Sequence, residues 1–364
     1  MKNNLLQDSQ EWKSYQWQLK NSILSARELS HLFNCKSQYT TLSEVESFYP
    51  VRITPYYLSL IDPSDPHDPI AMQCLPDIKE LNDATSIDSS PDPLAEHKYM
   101  VLPGLIHRYP DRVLLLAAHE CAVRCRHCNR KRTWKKPEAI TTNAQLDDIC
   151  CYLKKHPEVR EVILSGGDPL MLSLEKLETI LAKIKAISSV KVIRIGTRIP
   201  VTLPMKITPE LVGVLKKYRP MWINTHFNHP KEITELSKKA CEALICAGIP
   251  LSNQTVLLKN VNDNFETLKE LFTHLHAMMV RPYYLFQCDK VAGTDHFRTP
   301  ISIGIKIMEQ LWCSISGLCI PKFVVDLPKG GGKALTMPSY LLAIEEDKAI
   351  FRTYDGKIAY YMNP

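Results

Sequence analysis

Between Arg112 and Ser316, short β-branched runs alternate six times with longer amphipathic stretches, and this alternation constrains the fold more than any other feature. The runs at 113–118, 161–165, 190–195, 222–226, 252–257 and 282–286 read as buried strands. Helices are predicted near 143–155, 173–187, 208–217, 231–247, 264–278 and 302–316. Six successive β–α units require a parallel sheet with right-handed crossovers. A closed barrel of this kind needs eight units. The expected fold is therefore α/β, a partial, open (β/α)6 barrel. Ahead of it, residues 11–32 read as helix, with Trp12, Trp17, Leu19 and Leu24 among polar neighbours. Residues 61–93 repeat Asp-Pro and read as loop and linker. The chain divides on this reading into a helical N-terminal region and linker (1–98), the β/α core (99–326) and a short C-terminal extension (327–364).

In such folds, functional loops follow the C-terminal ends of the strands. Cys121-Ala-Val-Arg-Cys125-Arg-His-Cys128 follows the first strand, Gly166-Gly167-Asp168 the second and Asp289 the sixth, so one mouth is expected to collect them. Of the 12 cysteines, Cys35, Cys74, Cys150, Cys151, Cys241, Cys246, Cys288, Cys313 and Cys319 are scattered and read as small buried apolar side chains. The clustered three can aim their sulfurs at one point. Spacing alone leaves two readings open. Zinc needs four closed ligands, with His127 the nearest fourth. An iron–sulfur cluster on three thiolates would leave one iron free to bind a substrate or cofactor. Lys329-Gly-Gly-Gly-Lys333 reads either as a surface loop or as a lysine with the reach a covalent cofactor needs.

Charge decides little. The net +6 suits anionic ligands as well as nucleic acid. The run at 113–118 is far short of the roughly 20 residues of a membrane span. Met1-Lys-Asn-Asn-Leu-Leu-Gln-Asp has no apolar signal segment, so a cytoplasmic protein without membrane contact is expected.

Longer motifs sharpen the picture. They are His107-Arg-Tyr-Pro-Asp-Arg112, Cys125-Arg-His-Cys-Asn-Arg130, Leu164-Ser-Gly-Gly-Asp-Pro169, Asn224-Thr-His-Phe-Asn-His-Pro230, Asn253-Gln-Thr-Val-Leu-Leu258, His296-Phe-Arg-Thr-Pro300, Phe323-Val-Val-Asp326 and Gly330-Gly-Gly-Lys333. With the cysteine spacing they resemble the radical S-adenosylmethionine (SAM) superfamily and, within it, the lysine 2,3-aminomutase family, over roughly residues 100 to 360.

The resemblance implies a radical SAM barrel with a [4Fe–4S] cluster on Cys121, Cys125 and Cys128. SAM would chelate the open iron, and its reductive cleavage would release a 5′-deoxyadenosyl radical. Gly166, Gly167, Asp168 and Gln254 match SAM-binding positions, with Asp168 near the methionyl ammonium. Lys333 matches the lysine that carries pyridoxal 5′-phosphate (PLP), which makes 327–364 a PLP-lysine loop with a C-terminal extension. Arg108, Tyr109 and Arg112 match the positions around the cofactor phosphate; Arg112 could equally just begin the strand. Arg130 matches the arginine that binds the substrate carboxylate. Asp289 and Asp326 match two acids that hold a distal ammonium, although each could instead cap a turn. Two converging carboxylates repel unless a cation joins them, which favours lysine as the small-molecule substrate.

The implied reaction moves the 2-amino group of L-lysine to carbon 3, giving β-lysine. Two alternatives share the machinery: the related enzyme that makes β-lysine for modifying elongation factor P, and a 2,3-aminomutase for another amino acid. Asn264 stands where a cysteine of a further zinc site in the free-lysine enzymes is expected, so no zinc is expected. An electron donor is required, and a homo-oligomer stays possible. A rival reading from another class is a zinc-stabilised nucleic-acid-binding protein with Arg124, Arg126, Arg130, Lys131 and Arg132 as a basic loop. It gives Lys333, the Gly-Gly-Asp turn and the paired acids no role.

Overall fold

The computed structural model describes residues 9–33, 39–82, 90–140 and 142–362. Cys35, the first eight residues and positions 83–89 of the expected linker lie outside them. Ten strands form one sheet in chain order: β1 (Met100–Leu102), β2 (Leu105–Tyr109), β3 (Arg112–Ala118), β4 (Glu161–Gly166), β5 (Val192–Gly196), β6 (Met221–Thr225), β7 (Leu251–Leu257), β8 (Val280–Gln287), β9 (Lys322–Leu327) and β10 (Gly332–Leu335). Strands β3 to β9 are parallel neighbours, and antiparallel pairs sit at both edges. The sheet is therefore open, as expected, but it carries seven parallel strands rather than six. The extra one, β9, follows the last of the six helices and buries Phe323 and Val324.

Side chains bridge the two edges of this open barrel. Tyr99 Oη donates to the Gly330 carbonyl at 3.3 Å, and the Lys333 amide donates to Tyr109 Oη at 3.4 Å. Gly330 has φ +80°, and a Cβ there would meet the Tyr99 ring at 2.7 Å. Only glycine combines that backbone with that approach. Lys333 itself lies on β10, within the sheet, rather than on a free loop.

Helices α1 (Tyr15–Lys20), α2 (Ala26–Leu32), α3 (Tyr39–Phe48), α4 (Pro55–Leu58), α5 (Pro69–Cys74) and α6 (Lys79–Asn82) precede the sheet. The single helix expected over 11–32 is broken into α1 and α2. Ile23 pairs with Ile53 as an isolated bridge, and Ser25 with Glu28 forms a capping box that restarts the helix. Around the core run α7 (Asn143–Lys155), α8 (Leu174–Lys185), the short α9 (Ile199–Thr202), α10 (Pro209–Lys217), α11 (Glu235–Cys246), α12 (Phe265–Ala277) and α13 (Ile301–Trp312). In α8, Leu177, Ile180, Leu181 and Ile184 make one buried stripe behind the Ser173 cap. Each such side chain contributes about 1.5–3 kcal/mol by leaving water. Cys74, Cys150, Cys241, Cys288 and Cys319 are buried as expected. Cys151, Cys246 and Cys313 are exposed, because they fall outside the buried stripes of their segments. A separate meander of β11 (Leu341–Ile344), β12 (Lys348–Arg352) and β13 (Ile358–Met362) joins α13 through an Arg352–Glu309 ion pair. Among the described residues no helix is long and apolar enough to cross a membrane.

The N-terminal helices grip the cysteine loop. Glu80 of α6 is fully buried and accepts from Arg126 Nε at 2.9 Å, Arg126 Nη2 at 2.6 Å and Lys131 Nζ at 2.7 Å. Burial alone would raise the Glu80 pKa, but Arg126 and Lys131 hold it below the usual carboxylate range.

Candidate active site

A cavity of about 520 Å³ occupies the barrel interior, and every candidate residue lines it: Arg108, Tyr109, Arg112, Cys121, Cys125, Cys128, Arg130, Gly166, Gly167, Asp168, Gln254, Asp289, Asp326 and Lys333. As expected, the cysteines, the Gly-Gly-Asp turn and Asp289 gather at the C-terminal ends of β3, β4 and β8, and the phosphate-side arginines come from elsewhere. The cysteines follow the C-terminal end of β3, whereas Arg112 opens the same strand at its other end. The sites meet because the barrel is hollow along its length.

Cys121, Cys125 and Cys128 line this cavity together. Burial pushes the Cys121 thiol up, and Asp168, Cys128 and Cys125 push it further. Cys128 is raised by burial and then by Cys125. Raised in this way the thiols keep their protons, and a cationic centre bound among them would favour the thiolates. His127, the fourth ligand in the zinc reading, has its Nε2 3.2 Å from Asn228 Nδ2 and packs against Phe297. Among the described residues, no group of three or more His, Cys, Asp and Glu side chains is placed to hold a metal ion.

The Gly-Gly-Asp turn is stitched to the segment before Cys121. The Gly167 amide donates to Ala118 O at 2.6 Å and the Asp168 amide to Glu120 O at 2.8 Å. A Cβ on Gly166 would lie 2.3 Å from Ala118 O, and one on Gly167 would lie 2.6 Å from Glu120 O. The glycines thus permit a close pass of two backbones. Asp168 is held within the same turn. Its carboxylate accepts from Thr197 Oγ1 at 2.7 Å and from the amides of Arg198 (2.7 Å) and Leu170 (3.0 Å). It braces the turn, and burial raises its pKa.

Arg130 is held by Glu96, whose oxygens accept from its Nε at 3.0 and 3.1 Å and from its Nη2 at 2.6 Å. Its Nη1 reaches Ser165 Oγ at 3.2 Å. Glu96 also takes Arg132 Nη2 at 2.7 Å. Burial would raise the Glu96 carboxyl, but Arg130 and Arg132 hold it down to about 2. Across the cavity, Lys333 Nζ donates to Asp326, and Asn129 Nδ2 donates to Asp289 at 3.3 Å. Asp289 is pushed up to about 7, first by burial and then by the Asp326 carboxylate, while Asn129, Lys333 and Arg130 pull it back.

Several residues escaped the sequence reading. Arg198 donates to Cys125 Sγ at 2.7 Å, and Glu232, Gln73 and Tyr57 hold its other edge. Glu80 and Glu96 neutralise the basic loop, whose Arg126 and Lys131 are buried. Those charges are spent inside the fold and do not form a nucleic-acid-facing surface. Gln287 Oε1 is buried without a hydrogen-bond partner among the described residues, and the residue lines the cavity. No local motif marks any of these.

Comparison with known proteins places the chain. Residues 117–272 match the radical SAM superfamily, and residues 308–364 match the family described as lysine-2,3-aminomutase. L-lysine 2,3-aminomutase of Clostridium subterminale is 48% identical over 355 residues, covering 97% of this chain and 85% of that one. The chain belongs to the lysine 2,3-aminomutase family. The L-lysine 2,3-aminomutase of Acetoanaerobium sticklandii is 47% identical, covering 98% of this chain and 86% of that relative. Glutamate 2,3-aminomutase of Clostridioides difficile is 41% identical, covering 96% and 82%. Overall similarity to this family therefore leaves the substrate to be argued from the site.

As a radical SAM member, the aminomutase uses a [4Fe–4S] cluster and SAM. The residues fit that pair: three cavity-lining thiols supply the donor set of a cluster with one open iron. They also fit PLP. Arg108 Nη2 is buried without a hydrogen-bond partner among the described residues, and the Arg112 guanidinium lies 4.1 Å from the Tyr109 ring centre. An orphaned guanidinium nitrogen beside a cavity suits a phosphate oxygen.

Proposed function

We propose that this aminomutase acts on L-lysine, moving its 2-amino group to carbon 3 to give β-lysine, with PLP carried by Lys333. The observation that supports lysine is the acid pair. Asp289 and Asp326 share the cavity with the cysteines, and a lysine ammonium already lies against Asp326. A substrate ammonium in that place would offset both the burial and the Asp326 charge that lift Asp289. A glutamate side chain would add a third negative charge there.

When bound, the cluster and SAM supply the carbon-centred radical that removes a substrate hydrogen. PLP supplies a covalent carrier for the migrating nitrogen. The chain's own residues position and shield. Cys121, Cys125 and Cys128 hold the cluster, and Gly166, Gly167 and Gln254 border the SAM site, with Asp168 bracing it. Arg108, Tyr109 and Arg112 line the cavity and would hold the PLP phosphate. Arg130 receives the α-carboxylate through its Nη1 edge, because Glu96 fixes the opposite edge. Asp289 and Asp326 receive the distal ammonium. The barrel wall excludes water from the radical. A one-electron donor completes the system, and the assigned place of action is the cytoplasm.

The test is anaerobic reconstitution with iron, sulfide and PLP, followed by reaction with dithionite, SAM and L-lysine. A brown protein that forms β-lysine supports the assignment. Reconstituted protein that converts glutamate, arginine or ornithine instead overturns lysine as substrate. A colourless protein without iron overturns the cluster.

A further inference from the structure

Arg198 follows β5 and is almost fully buried. Its three side-chain nitrogens reach five residues on five separate segments. Nε reaches the His226 carbonyl at 3.1 Å. Nη1 reaches Cys125 Sγ at 2.7 Å. Nη2 reaches Glu232 Oε1 and Gln73 Oε1, both at 2.6 Å, and Tyr57 Oη at 3.1 Å. Its backbone amide holds Asp168. One residue thus touches both the cysteine loop and the Gly-Gly-Asp turn. Glu232 is fully buried and is fixed in turn by the amides of Asn228 (2.6 Å) and His229 (3.1 Å). The result is a rigid charge row: sulfur, guanidinium, carboxylate.

We propose that Arg198 is a positioning residue for the cluster, orienting the Cys125 thiolate and favouring the electron-rich, reduced state. The inference rests on the assignment of Cys125 as a cluster ligand. Hydrogen bonds and charge at the sulfurs set the potential of such centres. Reduction by an external one-electron donor adds one negative charge beside Cys125 and breaks no bond. A guanidinium on that sulfur stabilises the reduced form over the oxidised one. Glu232 works against it from the far edge of the same guanidinium. An arginine needed only to neutralise Glu232 would have no reason to place Nη1 on the sulfur.

The opposed charges give a test that a purely structural role would not pass. Full-length Arg198→Gln, Arg198→Lys and Glu232→Gln enzymes are reconstituted anaerobically and checked for iron content and SAM binding. Cluster midpoint potentials are then read by EPR-monitored titration. Arg198→Gln is expected to move the potential more negative, Arg198→Lys to fall between it and wild type, and Glu232→Gln to move it more positive. Potentials that do not change, or that shift in the same direction for the Gln variants at both sites, overturn the proposal. If Arg198→Gln does not fold, the double variant Arg198→Gln/Glu232→Gln leaves no buried charge unpaired. Its potential must lie below that of Glu232→Gln, and equality overturns the proposal. Wild-type protein that takes up no iron after reconstitution defeats the cluster assignment itself, a separate failure.

Discussion

Lys333 and Asp326 face each other across the β9–β10 pair, with Nζ 2.9 and 3.1 Å from the two carboxylate oxygens. The chain's own amine therefore lies against one of the two acids proposed to hold the substrate's distal ammonium. Replacing Asp326 by Asn removes a charge-assisted bond of about 1.5–3 kcal/mol. The expected result is a KM for lysine raised roughly 10- to 100-fold, with PLP still bound. Steady-state kinetics at saturating SAM check this, and an unchanged KM contradicts it.

Asp289 carries a pH signature. Its pKa rises from 3.8 to about 7 in the folded protein. Between those values the native state keeps a proton that the unfolded chain has released. Its contribution to stability is thus present at low pH and lost as pH rises toward 7. Urea midpoints of the cofactor-free protein across that window are expected to show this decline, and Asp289→Asn to flatten it. Lysine binding favours the ionised acid, so KM should rise as pH falls below about 7.

Glu80 anchors the cysteine loop to α6 through two buried cations. Glu80→Ala leaves Arg126 and Lys131 buried without their carboxylate. Breaking a buried pair this way costs about 3–5 kcal/mol. Chemical denaturation should show that loss, and a change under about 1 kcal/mol, the level of an exposed pair, would contradict the burial argument.

Gly167→Ala places a methyl 2.6 Å from the backbone at His119 and Glu120. Neither backbone is a flexible side-chain end, so the turn and the cysteine loop must separate. Weaker SAM binding is expected together with a lower Tm. Equilibrium dialysis with labelled SAM separates this from a stability loss alone.

Arg108→Ala removes the orphaned guanidinium proposed to meet the PLP phosphate. The apparent Kd for PLP should rise roughly 10- to 100-fold, read from the visible absorbance of the bound cofactor.

Motif-borne features were legible because they are local. Three cysteines within eight residues, a Gly-Gly-Asp turn and a lysine after three glycines each announce themselves in a short window. Their partners were not legible. Glu96 meets Arg130 from 34 residues away, Glu80 meets Arg126 from 46, and Arg198 meets Cys125 from 73. A buried ion pair has no periodicity, so nothing along the chain marks which acid will face which base.

Residue patterning by itself determined the repeating β–α architecture, the open sheet and the identity of the groups around the cavity. Hydrophobic period and loop chemistry act over a few residues and need no long-range contact to be read. Tertiary structure alone decided that the phosphate-side arginines and the cysteines share one lumen from opposite ends of β3, that Asp168 braces a turn, and that Arg198 lies against a sulfur. Those outcomes depend on how separate segments bury their charges together, which folding resolves only when the sheet curves and the N-terminal helices close over it.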